Sequence, residues 1–114
     1  MSVHVAVDIG ASSGRVILAE YEDNHFEVSE VHRFKNGFHQ VDGHDRWNID
    51  GLFENILIGL AKVKERGVEE CTLGIDTWAV DYVLVKDGEK LGHPIAYRDS
   101  RTQKGVENVF AKIS

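Results

Sequence analysis

The chain has 114 residues, with 13 Lys and Arg against 19 Asp and Glu, a formal charge of −6. That length predicts one domain or part of one, and the acidic balance argues against non-specific nucleic-acid binding, which draws its affinity from neutralising phosphates. Hydrophobic residues at 42% suffice for a core, while a lone cysteine, Cys71, excludes a disulfide framework.

The opening run MSVHVAVDIGASSGR lacks the basic flank and apolar centre of a signal peptide. The most apolar helical stretch, residues 52–63, carries Glu54, Asn55 and Lys62, so no membrane span is expected. With an unpaired thiol, these features predict a reducing, cytoplasmic setting. His4, His25, His32, His39, His44 and His93 show no zinc-type spacing and read as surface or supporting residues.

Residues 3–8 alternate Val3, Val5 and Val7 with a small Ala6, a largely buried strand. Residues 10–14 form a turn of small residues whose two glycines tolerate positive φ. Residues 15–21 resume a strand, and the short glycine turn predicts that the two pair as an antiparallel hairpin. A third strand is expected over 25–34, where Phe26, Val28 and Val31 alternate imperfectly, followed by a polar, glycine-containing loop over 36–43. Ile49, Leu52, Phe53, Ile56, Leu57, Leu60 and Val63 then fall at helical spacing. Asp50 is the expected N-cap, Lys62, Lys64 and Arg66 suit the C-terminal end, and Gly67 suits the stop. Strands are expected at 71–76 and 82–85, the latter running into a turn over 86–89. A final helix over 101–113 places Val106, Val109, Phe110 and Ile113 on one face.

The resulting β-β-β-α-β-α order predicts an α/β mixed sheet with flanking helices and no internal repeats. Nothing later in the sequence covers the stripe on the last helix. The expectation is therefore a part of a larger protein, since an intact small domain buries its own apolar faces; the isolated chain would use that stripe to self-associate.

The sharpest chemical feature is the run from Asp8 to Arg15, an acid at the end of a strand followed by Gly10-Ala11-Ser12-Ser13-Gly14. Successive backbone N–H groups in such a turn form a concavity for phosphate. Ser12 and Ser13 add hydroxyls, and Arg15 adds a guanidinium fork. A carboxylate at Asp8 repels bare phosphate, so the combination makes sense with Mg²⁺ between them, an ion that takes one or two carboxylates and keeps most of its waters. Neither GxxxxGK[ST] nor GxGxxG entering a helix is present. The competing reading is an ordinary hairpin with glycines for geometry.

A second cluster spans 74–82. Asp76 ends a strand as Asp8 does, where ligands gather in such sheets and where a buried acid needs a partner. Trp78 and Tyr82 are candidates to wall a small polar ligand; a turn acid and two core aromatics are the alternative. In a third cluster, over 96–102, Asp99 or Ser100 caps the last helix, the reading that spacing favours. Arg98 and Arg101 are free to hold a carboxylate or to contact substrate hydroxyls.

These residues resemble a known family. DIGASSGR at a strand–turn–strand resembles the first phosphate motif of the actin/hexokinase/Hsp70 ATPase superfamily. With HRFKNG (32–37), RWNID (46–50), GIDTWAVDY (74–82) and AYRDSRT (96–102), the chain is similar throughout to the FGGY carbohydrate kinases, although Ala11 stands where Thr is usual. The resemblance implies a ribonuclease-H-like, actin-like ATPase fold, of which 1–114 would be part of the N-terminal domain. It also implies ATP-dependent phosphorylation of a ketose, L-rhamnulose at its 1-hydroxyl, with xylulose, ribulose or fuculose as alternatives; a non-catalytic sugar- or nucleotide-binding module is the rival from another class. By the family pattern Ala11, Ser12, Ser13, Gly14 and Arg15 bind the ATP phosphates and Asp8 organises Mg²⁺. Ala79, often Gly in the family, contacts the sugar through its backbone, with Asp76, Trp78 and Arg98 near the cleft. The catalytic Asp, the second phosphate motif and the adenosine segment are expected beyond residue 114, so the chain alone is expected to be inactive.

Overall fold

Alternating valines on β1 (Ser2–Ile9) and β2 (Ser13–Glu22) build the centre of a mixed sheet. The computed structural model describes residues 1–97 and 99–113; Arg98, Ser114 and the side chains of Thr102 and Ile113 lie outside the described set. The chain divides into two units, one formed by Met1–Gly37 with Asp50–Trp78 and the other by Phe38–Ile49 with Ala79–Ser114.

In the first unit, β1 and β2 pair antiparallel, as do β2 and β3 (His25–Lys35), while β6 (Thr72–Asp76) runs parallel to β1. The order across the sheet is β3-β2-β1-β6. Joining β1 to a parallel neighbour requires a crossover, and α1 (Ile49–Glu65) lies on that connection. The expected mixed α/β sheet is thus present.

One sheet face carries the core: Val5, Val7, Ile9, Val16 and Leu18, against which Leu52, Ile56, Leu60 and Val63 of α1 pack. Burying each Val or Leu contributes about 1.5–3 kcal/mol. Val16 has no exposed surface, and a Cβ on Gly59 would fall 2.3 Å from its Cγ2, so a glycine lets the helix approach the sheet. The stripe on α1 is narrower than its spacing predicts, since Phe53 and Leu57 are exposed. Nor is β1 buried on both faces: Ala6, on the side away from α1, is exposed.

Asp50 is not the N-cap. The helix begins at Ile49, which puts Asn48 just before it and Asp50 in the first turn, where a negative charge still favours the dipole. Gly67 ends it as expected, at φ 89° with its N–H on the Lys64 carbonyl. The imperfect alternation of the third strand is a β-bulge: Val16 pairs with His32 but Ile17 with Glu30, leaving Val31 as the extra residue. Before the bulge Phe26 and Val28 are exposed, off the core; at the bulge Val31 packs against it.

In the second unit, part of the segment read as a loop over 36–43 is instead the first strand of a hairpin. Here β4 (Phe38–Val41) pairs with β5 (His44–Trp47) across Asp42-Gly43, both at positive φ, the conformation of a two-residue type I′ turn. The strand expected at 82–85 is shorter and later: β7 (Val85–Lys86) pairs with β8 (Glu89–Lys90) across Asp87-Gly88, the same turn chemistry. Residues 94–96 line up beside β5, with Trp47 N–H on the Pro94 carbonyl at 2.9 Å and Ala96 N–H on the Asp45 carbonyl at 2.7 Å. Trp47, 1% exposed, anchors this unit, with the Phe38 ring edge-on to it at 5.5 Å. Helix α2 (Arg101–Ile113) has the predicted bounds, and Val106, Val109 and Phe110 on its stripe are exposed. Among the described residues no helix is long and apolar enough to cross a membrane.

Candidate functional site

The β1–β2 hairpin forms as its sequence predicts, with Asp8 opposite Arg15 and Ile9 opposite Gly14. The Gly10 N–H donates to the Ser13 carbonyl at 2.9 Å and closes the turn. Because β2 already begins at Ser13, the turn is tighter than a 10–14 loop.

Its glycines are needed for proximity rather than for positive φ. The glycines at positive φ among the described residues are Gly43, Gly67 and Gly88, so Gly10 and Gly14 do not use the positive φ that they tolerate. Instead, a Cβ on Gly14 would lie 2.2 Å from Cζ of Phe34, and one on Gly10 would lie 3.2 Å from the Ser13 carbonyl oxygen. Ala11 and Ser12 form an exposed apex, with Ser13 half-buried behind it.

The sheet face opposite the core carries the charges. Asp8 and Arg15 share this face, and an Arg15 Nη2 donates to Asp8 Oδ2 at 2.6 Å, with side chains 44% and 39% exposed. Asp76 sits beside Asp8 in the parallel β1–β6 register. Neighbouring strands are about 4.8 Å apart, so two carboxylates and a guanidinium gather at the carboxyl ends of β1 and β6. Asp8 is half-buried but Asp76 is exposed, so Asp76 is not the buried acid expected. In this sheet β6 is an edge strand, and its five residues are all exposed.

The remaining candidates follow Asp76 in sequence. Trp78 is half-buried and packs against the core of the first unit. Ala79 is exposed, and Val80 after it is held at φ 71°, an outlier for a β-branched residue of the kind found at functional sites. Tyr82 is not a core aromatic: it is exposed, with the Arg101 guanidinium 5.8 Å from its ring centroid. Arg98 lies outside the described residues.

Asp99 does cap α2, accepting the Arg101 N–H at 3.2 Å, and it does more. Buried to 3% exposure, it also accepts the Asp45 N–H at 2.7 Å and contacts His44 Nδ1 at 3.0 Å. The Asp45 hydrogen bond, followed by that from His44, outweighs burial and holds its pKa down to about 2.

Asn36 was not singled out by sequence, yet it binds the turn twice. Its Nδ2 donates to the Gly10 carbonyl at 2.8 Å and its N–H to the Ser12 carbonyl at 3.0 Å. Among the described residues no three His, Cys, Asp or Glu side chains form a metal cluster. A metal at Asp8 and Asp76 would therefore need ligands from water or substrate, the usual arrangement for Mg²⁺ on phosphates.

The fold is similar to that of a solved sugar kinase. The chain matches ligand-bound xylulose kinase from Lactobacillus acidophilus with a TM-score of 0.70 at 14% identity, over 98% of this chain and 23% of that one. The fold is that of the FGGY carbohydrate kinases, an actin-like ATPase fold, present as an incomplete domain.

Sequence similarity narrows the class. The chain is 56% identical to rhamnulokinase from Ligilactobacillus salivarius over 100% of its length, 53% identical to that from Lactiplantibacillus plantarum over 99%, and 50% identical to that from Bacillus subtilis over 98%. It spans only 23–24% of those relatives, about a quarter of their length. No protein-family profile matches the chain.

Proposed function

We propose that this chain is the N-terminal part of the N-terminal domain of an ATP-dependent kinase that phosphorylates L-rhamnulose at its 1-hydroxyl, giving L-rhamnulose 1-phosphate and ADP, in the cytoplasm. The observation that carries the reading is the tight turn at the end of β1, with an exposed apex, beside Asp8, Arg15 and Asp76. The rhamnulokinase relatives, 50–56% identical, support the choice of sugar.

In this reading the amides and hydroxyls of Ala11, Ser12, Ser13 and Gly14 bind the ATP phosphates and Arg15 adds positive charge. Asp8 would hold Mg²⁺, and the donor set fits: an ion that accepts few carboxylates would meet one with a second in register beside it. When bound, Mg²⁺ neutralises phosphate charge. The backbone at Ala79 contacts the sugar, and Asp76, Trp78 and Arg98 are the further candidates for binding it. Phosphoryl transfer depends on positioning and charge stabilisation, and the remainder of the kinase supplies the base that accepts the sugar proton. The isolated chain is therefore inactive, and it self-associates through the apolar side of α2.

The test is a coupled ADP-release assay on the complete protein with L-rhamnulose, xylulose, ribulose and fuculose. The highest kcat/KM is expected with L-rhamnulose. A preference for another ketose overturns the substrate, and binding of sugar and nucleotide without transfer overturns the kinase. Turnover by the 114-residue chain alone would overturn the division of labour.

A further inference from the structure

We infer that Asn36 is a positioning residue for the phosphate-binding turn, fixing the direction of two of its peptide amides; the inference rests on the nucleotide reading of that turn given above. Asn36 directly follows β3 and is half-buried. From 26 residues away its side-chain amide holds the Gly10 carbonyl, and its main-chain N–H holds the Ser12 carbonyl. With the Ser13 carbonyl taken by the Gly10 N–H, the carbonyls of residues 10, 12 and 13 are all engaged within the protein.

The consequence follows from peptide geometry. A carbonyl and the N–H of the next residue belong to one planar trans unit and point in opposite directions. No cis peptide occurs among the described residues. Holding the Gly10 oxygen on Asn36 therefore sends the Ala11 N–H away from Asn36, and holding the Ser12 oxygen does the same for the Ser13 N–H. A turn that binds anions must present N–H groups while its carbonyls, which repel phosphate, face elsewhere. Asn36 supplies that orientation before any nucleotide arrives.

The end of β3 gives the clamp a rigid base. Phe34 pairs with Gly14 and its ring fills the space where a Gly14 side chain would be. Lys35 pairs with Ser13. The residue that reaches round the turn thus emerges from a strand already fixed against it. An aspartate at 36 offers no side-chain donor to the Gly10 oxygen and adds a negative charge beside the phosphates.

The test uses the complete protein with Asn36→Ala, Asn36→Asp and the conservative Asn36→Gln. Three quantities are read: hydrogen–deuterium exchange of the peptide covering residues 10–14, the KM for ATP, and the KM for the sugar. Asn36→Ala is expected to speed exchange in the turn and to raise the ATP KM roughly two- to tenfold, the value of one neutral hydrogen bond. Asn36→Asp is expected to raise it further and Asn36→Gln to recover part of the loss, with the sugar KM unchanged throughout. Unchanged exchange, or an ATP KM that rises no more than the sugar KM, overturns the role. Should Asn36→Asp not fold, Asn36→Ala carries the test, because it removes one amide and leaves the main-chain bond to Ser12. A wild-type protein that binds no nucleotide overturns the kinase reading and this role with it. A wild-type protein that transfers phosphate, with an Asn36→Ala variant that keeps both its ATP KM and its exchange rate in the turn, overturns the role alone.

Discussion

Arg15 and Asp8 face each other across the β1–β2 hairpin, and their side chains meet at 2.6 Å on the sheet face opposite the core. Both are more than a third exposed, so solvent screens the pair and its contribution to stability is about 0–1 kcal/mol. Its importance lies in placement: the contact holds a carboxylate and a guanidinium in fixed positions next to the turn.

The first expectation follows from that imbalance. In the complete protein, Asp8→Ala is expected to lower kcat for the proposed reaction by several orders of magnitude, because charge placement contributes most of the rate in phosphoryl transfer. Sugar affinity falls modestly, and unfolding stability changes by no more than about 1 kcal/mol. Steady-state kinetics and a urea titration on the same variant check both halves. A kcat that survives removes Asp8 from the proposed metal site.

Gly14 carries a steric constraint that its φ does not reveal. Three Phe34 ring atoms lie within 2.8 Å of where its Cβ would be, and a ring packed under a strand cannot shift cheaply. Gly14→Ala is expected to destabilise by about 1–3 kcal/mol, the usual cost of overpacking. Shortening the opposing side chain should relieve it, so Gly14→Ala with Phe34→Leu is expected to lose less than the sum of the two single changes. Additive urea midpoints would show that the ring is not what Gly14 accommodates.

What the sequence conveyed and what it hid divide along physical lines. Helix α2 was legible because Val106, Val109, Phe110 and Ile113 fall at helical spacing within its 13 residues. The β1–β2 hairpin was legible because alternating valines flank a short turn. The β4–β5 hairpin was hidden although Asp42-Gly43 is a strong turn signal, because four-residue strands such as Phe38–Val41, exposed along their length, give no inward-facing alternation. The bulge at Val31 broke the third strand's period from within. At the site, the residue types were readable but their partners were not. Asn36 meets Gly10 across 26 residues and His44 meets Asp99 across 55, and a contact made by tertiary packing leaves no local pattern.

Trp47 gives a second test of packing, in the other unit. Its indole N–H donates to Asp81 Oδ2 at 2.5 Å from a nearly solvent-free position. Removing the acceptor from a buried donor costs about 1–3 kcal/mol, so Asp81→Ala is expected to destabilise by that amount. In a Trp47→Phe background, which has no indole N–H, the same change should cost distinctly less. Equal costs in the two backgrounds would assign Asp81 its effect through other contacts.

Asp99 makes stability depend on pH. Its pKa is held from the ordinary 3.8 down to about 2, first by the Asp45 N–H, then by the His44 side chain, then by the Arg101 N–H and the charge on His44, against the opposing effect of burial. An acid depressed in the folded state binds its proton more readily once unfolded. Its stabilisation is therefore complete above the unfolded value of 3.8 and disappears as pH falls through about 2. Asp99→Asn, which cannot carry the charge, is expected to be less stable than the parent above the unfolded value of 3.8 by a gap that closes as pH falls through about 2. Chemical unfolding midpoints of both proteins across that range measure the gap directly. A difference that persists undiminished at the acid end would mean that the carboxylate's shape, and not its charge, joins the start of α2 to the β4–β5 hairpin.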